Sequence, residues 1–240
     1  MKLTFLGTRA NTDVKSSRHR RHSALMVSYY GQRIMIDCGA DWRGSLTQLR
    51  PDAIVVTHAH PDHAFGLDEG APCPVYAPEA VWSAINDYPI DDRRCVKPQT
   101  PQDIGGLIFE AFPVDHSVEA PAVGYRITAG RVKMFYVPDV VHIHDAEAAL
   151  EGVRIYIGDG TTMSRPQVDK TDTALVGHTP VRAQLTWCNK FGISRAYFTH
   201  CGDEVIRGDQ QKLAAGLDKM ANDRKVDAKI AYDGMKVTFR

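Results

Sequence analysis

Short apolar runs rich in β-branched and aromatic side chains recur along the chain, each stopping at Gly, Pro, Asp or His. Residues 2–7, 53–57, 72–76, 107–114, 154–158 and 195–199 fit this description and predict buried strands. Residues 23–30 and 33–37, parted by Gly31-Gln32, predict a β-hairpin. Residues 124–128 and 132–137 predict another about Ala129-Gly130, and residues 226–232 and 235–239 a third about Asp233-Gly234. Helices are expected over 41–49, over 61–67, over 78–86 with proline in the first turn, and in the alanine- and glutamate-rich stretch after His144. A further helix should run from Thr179-Pro180 to about Phe191, stopped by Gly192. Over 210–220, Leu213, Leu217 and Met220 share one helical face. Residues 87–105 read as an irregular connection over the active face, and 163–173 as a charged surface loop. Strands interspersed with helices predict an α+β fold of two mixed sheets packed together with helices outside.

Composition narrows the picture. A length of 240 residues with 43% hydrophobic content suits one compact domain, 1–240. Lysine plus arginine equal aspartate plus glutamate at 29 each, so no global field draws the protein to nucleic acid or membrane. No apolar run approaches the roughly 20 residues of a membrane span, and the opening residues read as a strand, not a signal peptide; a cytoplasmic location is expected. Five cysteines without a Cys-x-x-Cys pair argue against a disulfide framework and a zinc knuckle.

The chemistry gathers at strand exits. His58-Ala59-His60-Pro61-Asp62-His63 follows the run 53–57 directly. In an extended segment alternate side chains share a face, so His58 and His60 can grip one cation. Asp62 and His63 lie beyond Pro61 and face elsewhere, towards a second cation; a solvated histidine-rich loop is the alternative. His116, Asp139 and His200 also end apolar strands, and Thr199-His200 echoes Thr57-His58, as in two similar halves about one site. Asp37 closes a hairpin strand and needs a hydrogen-bond partner there, which suits support of the metal loop. His142-x-His144 reads as a decoy flanking a helix, and Cys201 as a core thiol beside His200. His178, just outside a helix N-terminus, stands where anions are favoured. The basic run Arg18-His19-Arg20-Arg21-His22 reads either as an anion binder or as a solvated loop.

His-x-His-x-Asp-His followed by His116, Asp139 and His200 resembles the ligand pattern of the metallo-β-lactamase fold superfamily across most of the chain. The resemblance implies an αββα sandwich in which His58, His60 and His116 bind one metal, Asp62, His63 and His200 bind the other, and Asp139 bridges both. Two divalent ions, zinc or manganese with iron tolerated, share a water at about 3.5 to 4 Å separation and lower its pKa, so the nucleophile is hydroxide. Gly177-His178-Thr179 and Tyr232-Asp233-Gly234-Met235 resemble the phosphodiesterase branch, which includes the tRNA 3′-processing endonuclease and the accessory phosphodiesterase of phosphonate breakdown. By that resemblance Asp62 and His178 are catalytic, with His178 hydrogen-bonding a phosphoryl oxygen or protonating the leaving alkoxide. A small or cyclic nucleotide-like phosphodiester is the expected substrate, with Arg18, Arg20 and Arg21 as candidate phosphate holders. Neutral charge and the lack of an insertion resembling a tRNA-gripping arm disfavour a large structured RNA. A thioester or lactone hydrolase and an inert metal-binding sensor are the alternatives; no membrane partner is expected, and a homodimer stays open.

Overall fold

Two mixed β-sheets lie face to face with helices on their outer sides, in a computed structural model that describes residues 1–171 and 175–239. The first sheet holds β1 (Lys2–Gly7), β2 (Ala24–Tyr29), β3 (Gln32–Ile36), β4 (Ala53–Val55), β5 (Val75–Ala77) and β6 (Arg93–Cys95) side by side, and β17 (Lys236–Thr238) returns to pair with β1. The second sheet contains β7 (Gln102–Ile104), β8 (Leu107–Asp115), β9 (Ala122–Ala129), β10 (Val132–Tyr136), β11 (His142–Ile143), β12 (Ile155–Asp159), β15 (Arg195–Thr199) and β16 (Asp227–Ile230). A two-stranded ribbon, β13 (Gln167–Lys170) with β14 (Leu175–His178), stands apart from both. The helices are α1 (Leu46–Leu49), α2 (Pro61–Ala64), α3 (Glu79–Ala84), α4 (Ala146–Leu150), α5 (Val181–Lys190), α6 (Asp203–Arg207) and α7 (Gln210–Asn222).

The apolar runs lack a polar face because both sides of each sheet are covered. Ile34 and Ile36 of β3 point into the central core while Met35 points outward to Trp42 and Trp82 beneath the outer helices. In the second sheet Ile155 and Ile157 of β12 face the centre, and Tyr156 faces Leu185 of α5 and Leu217 of α7. Burying large aliphatic and aromatic side chains on both faces stabilises by about 1.5–3 kcal/mol each, which commits every strand to its register.

Four expected elements come out differently. Asp233-Gly234 does not close a hairpin: β16 pairs in parallel with β15, while β17 crosses to the first sheet and pairs with β1. The turn is held by other chain, since the Asp233 carboxylate accepts from the Thr8 hydroxyl and from the backbone N–H groups of Arg20 and Arg21. Residues 87–105 include the short strands β6 and β7, and none of them lines the cavity described below. Residues 163–171 are not merely surface loop, because β13 forms there; Asp172 and Thr173 of that expected loop lie outside the described residues. Helix α5 is capped by Pro180, one residue later than expected, because the Thr179 hydroxyl donates instead to the Val141 carbonyl.

Candidate metal centre

At the strand exits the two sheets bring one set of imidazoles and carboxylates together. His58 leaves β4, His60 precedes Pro61 at the first position of α2, and that short helix carries Asp62 and His63. His116 follows β8, Asp139 comes soon after β10, and His200 follows β15. Gly39 permits this approach, because a Cβ there would stand 2.1 Å from the Asp62 carbonyl oxygen.

His58, His60, His116 and Asp139 form one group whose candidate ligand atoms all lie within 4.8 Å of one another, and Asp62, His63, Asp139 and His200 form a second. His60 Nδ1 stands 3.0 Å from His58 Nε2 and 3.1 Å from His116 Nε2, and Asp139 Oδ2 is 3.2 Å from His58 Nε2. Donors at tetrahedral zinc distances are roughly 3.3 Å apart along each edge, so this spacing fits a cation seated among them. The tautomers agree. His58 Nδ1–H donates to the Thr57 hydroxyl oxygen (3.0 Å) and His116 Nδ1–H to the Gly177 carbonyl (3.0 Å), which leaves each Nε2 lone pair facing the group.

In the second group His63 Nε2 and both carboxylate oxygens of Asp139 are buried without a well-aligned hydrogen bond, although His63 Nε2 stands 2.9 Å from Asp139 Oδ2 and His200 Nδ1 2.7 Å from Oδ1. Polar atoms so enclosed cost stability unless something pairs with them, and a divalent ion satisfies all three. The electrostatics point the same way. Burial opposes protonation of His63 and His200, yet the carboxylates of Asp62, Asp139 and Asp37 around the first, and of Asp139 above all around the second, hold both well above the ordinary histidine value. Burial alone would raise the carboxyl of Asp139; His200, His116 and His63 outweigh it and hold it well below the usual range. Three imidazoles on the other side, His58, His60 and His116, are pushed down first by burial, His60 to about 4, so they are neutral and able to ligate.

Two buried carboxylates sustain these groups. Asp37, in the left-handed region at φ 61°, accepts from the Thr57 N–H (2.8 Å), the Thr57 hydroxyl (3.0 Å), His63 Nδ1–H (3.0 Å) and the Tyr136 hydroxyl (3.4 Å). Asp159 was not singled out from the sequence. Its Oδ2 lies 2.8 Å from His178 Nδ1, its Oδ1 accepts from the Thr161 N–H (2.8 Å), and its backbone is fixed by the buried amide of Gln184. It ends an apolar strand before Gly-Thr-Thr, the same signal that marked Asp37 and Asp139. Burial lowers His178, but Asp159 outweighs it and raises the imidazole above its ordinary value. Asp139, Asp159, His178 and His200 also lie close enough to hold an ion as a set.

His178 ends β14, two residues before the Pro180 cap of α5, and the ribbon also steers His116 through Gly177. Gly177 has φ 115°, and a Cβ would stand 1.9 Å from the Gln167 carbonyl oxygen, so no other residue fits. A cavity of about 530 Å³ opens on His60, Asp62, His116, Asp139, His178 and His200. Neither Arg18 nor Arg21 lines it: their guanidinium groups lie over the rings of Tyr232 (4.3 Å) and Trp42 (4.6 Å). Arg20 contributes its N–H to Asp233. His142 is exposed and His144 bonds Asp115 (2.7 Å), outside the ligand groups, and Cys201 is a buried thiol. Among the described residues no helix is long and apolar enough to cross a membrane.

A profile of the beta-lactamase superfamily domain matches residues 32–201. Ribonuclease Z of Methanopyrus kandleri is 30% identical over 175 residues, covering 64% of this chain and 61% of that protein. The chain spans about half the length of several ribonuclease Z proteins it matches. Among solved structures, the metallo-beta-lactamase fold protein YhfI from Bacillus subtilis superposes with a TM-score of 0.76 at 18% identity, covering 98% of each chain. A diphosphatase from the PhnP family superposes with a TM-score of 0.72 at 22% identity, covering 100% of this chain and 98% of that one. With the profile covering well over half of its length, this chain belongs to the beta-lactamase superfamily.

Proposed function

We propose that the protein is a metal-dependent phosphodiesterase acting on a small phosphodiester. In this reading His58, His60 and His116 hold one divalent cation, Asp62, His63 and His200 a second, and Asp139 both; zinc and manganese suit the donor set equally. Bound there, the ions supply a water of lowered pKa and electrophilic stabilisation of the phosphoryl oxygens. The chain's own residues do the rest. Asp159 fixes the ring of His178 through Nδ1, which leaves Nε2 as the nitrogen that donates a proton to the departing alkoxide. Asp62 Oδ2 and His200 Nε2, 2.9 Å apart, stand side by side as donors for the second ion.

The observation that carries this reading is the His178–Asp159 pair on the wall of the same cavity as the ligand groups. An acid on that wall is needed when a poor alkoxide leaves, whereas hydrolysis of a thioester expels a good leaving group. The likeness to ribonuclease Z supports the same class. Metal-loaded protein is expected to hydrolyse bis(p-nitrophenyl) phosphate, and His178→Ala, with metal content intact, to lose far more turnover on an alkyl phosphodiester, whose alkoxide needs the acid, than on this activated ester. Robust thioester or lactone turnover without phosphodiester turnover would overturn it.

A further inference from the structure

Away from the histidines, the wall of the cavity is made by Asn11 and Thr12, by Gln167 of β13, and by Asp203 and Glu204 at the start of α6. Among the described lining residues there is no lysine or arginine. The Asp203 carboxylate accepts from the Thr12 hydroxyl, and its other oxygen is 3.6 Å from Arg207 in an exposed pair. Glu204 accepts from the Met163 N–H (3.1 Å) and belongs to none of the ion pairs among the described residues. Glu204 thus meets the cavity with its charge in place, and Asp203 shares its charge with an exposed arginine that does not line the cavity. At the inner end, the enclosed carboxylate of Asp139, ringed by imidazoles but without a well-formed hydrogen bond, marks where the ligand's reacting group must sit.

A phosphodiester bound in this cavity is polarised along its length. Its phosphate belongs at the inner end, with the ligand groups. Whatever one of its alcohols carries then meets two carboxylates and no lysine or arginine among the described lining residues, an arrangement that disfavours a further phosphate or carboxylate and attracts a positive group. A volume of about 530 Å³ admits one compact headgroup beside the phosphate. We propose that this acidic outer wall selects phosphodiesters one of whose alcohols bears an ammonium group. The proposal rests on the phosphodiesterase reading and adds the substrate class to it, with Asp203 and Glu204 as specificity-determining residues.

The test compares p-nitrophenyl phosphorylcholine with its neutral carbon isostere, 3,3-dimethylbutyl p-nitrophenyl phosphate, on zinc-loaded protein. Alongside, calorimetry on the same protein compares binding of phosphorylcholine and 3,3-dimethylbutyl phosphate. The charged member is expected to lead by about five-fold or more in both kcat/KM and affinity, and the lead should shrink as salt rises. Asp203→Asn and Glu204→Gln are each expected to lower the ratio, and the double variant to bring it within about two-fold of unity. A wild-type ratio at or below one overturns the proposal, as does a ratio undiminished in the folded, zinc-loaded double variant. Turnover of neither ester refutes the phosphodiesterase reading instead, and the calorimetric ratio then decides the cation-selective wall by itself.

Discussion

Two strand exits in this protein repeat one device and use it for different ends. In the first sheet β4 runs parallel to β3 and ends in Thr57-His58, beside the buried carboxylate of Asp37. In the second, β15 runs parallel to β12 and ends in Thr199-His200, beside the buried carboxylate of Asp159. Each acid accepts backbone N–H groups and one imidazole. Asp37 serves His63, which is wholly enclosed, whereas Asp159 serves His178, whose side chain is 20% exposed and meets the cavity. A carboxylate that fixes a sealed imidazole can only orient a ligand; one that fixes an imidazole open to a cavity can position a proton donor. The proposed difference in role follows from which side of each imidazole is left open.

The comparison can be broken most sharply at Asp37. Asp37→Ala leaves the Thr57 and His63 donors buried and unpaired, so unfolding by urea should show a loss of about 3–5 kcal/mol. Metal affinity should drop about 10–100-fold. A loss under about 1 kcal/mol would show that the sealed half needs no such carboxylate.

Asp159→Asn should act on chemistry more than on metal. The amide keeps the shape of the carboxylate but not its preference for His178 Nδ1–H, so kcat is expected to fall about 10²–10³-fold with metal content unchanged. Equal loss of metal in both variants would erase the distinction between the halves.

The loop that clamps Asp233 should respond to pH. His19 is buried, its Nδ1 is 2.8 Å from the Thr8 hydroxyl, and its Nε2 has no partner, so burial pushes its pKa from 6.5 down to about 4. The unfolded chain therefore binds a proton below pH 6.5 that the folded protein refuses until about pH 4. This contribution is fully present above pH 6.5 and is lost as pH falls from 6.5 to 4, costing about 3 kcal/mol. Urea titrations of the wild type and His19→Gln across that window measure it, and parallel pH profiles would refute it. Smallest of all, Tyr136→Phe removes a long bond to Asp37 and should cost about 1 kcal/mol or less in the same urea assay. A larger loss would mean that the sealed half depends on its central-core contact.

Residues whose surroundings are set by their own segment were legible in the chain. The apolar runs about Ile54, Ile155 and Phe198 could only be buried strands. The spacing about Pro61 pointed to His58 and His60 on one side and Asp62 and His63 on another. Asp159 carried the same mark as Asp37 and Asp139 but had no nearby histidine to draw attention to it, since His178 lies 19 positions away. The basic run at Arg18 was ambiguous for a related reason. Its charge suggested an anion site, while in the fold its backbone clamps Asp233 and its guanidinium groups rest on aromatic rings.

By itself the sequence determined the strands and the exits at which the candidate ligands stand, because these depend on periodicity and spacing within short stretches, and the order of those residues carried the resemblance to the family. Only the tertiary structure decided that β17 leaves its neighbour for the first sheet, that Asp159 holds His178, and that two acids face the cavity. Each of these joins residues distant in sequence, and the choice among such pairings is made by what the whole core buries and which polar atoms it leaves unpaired.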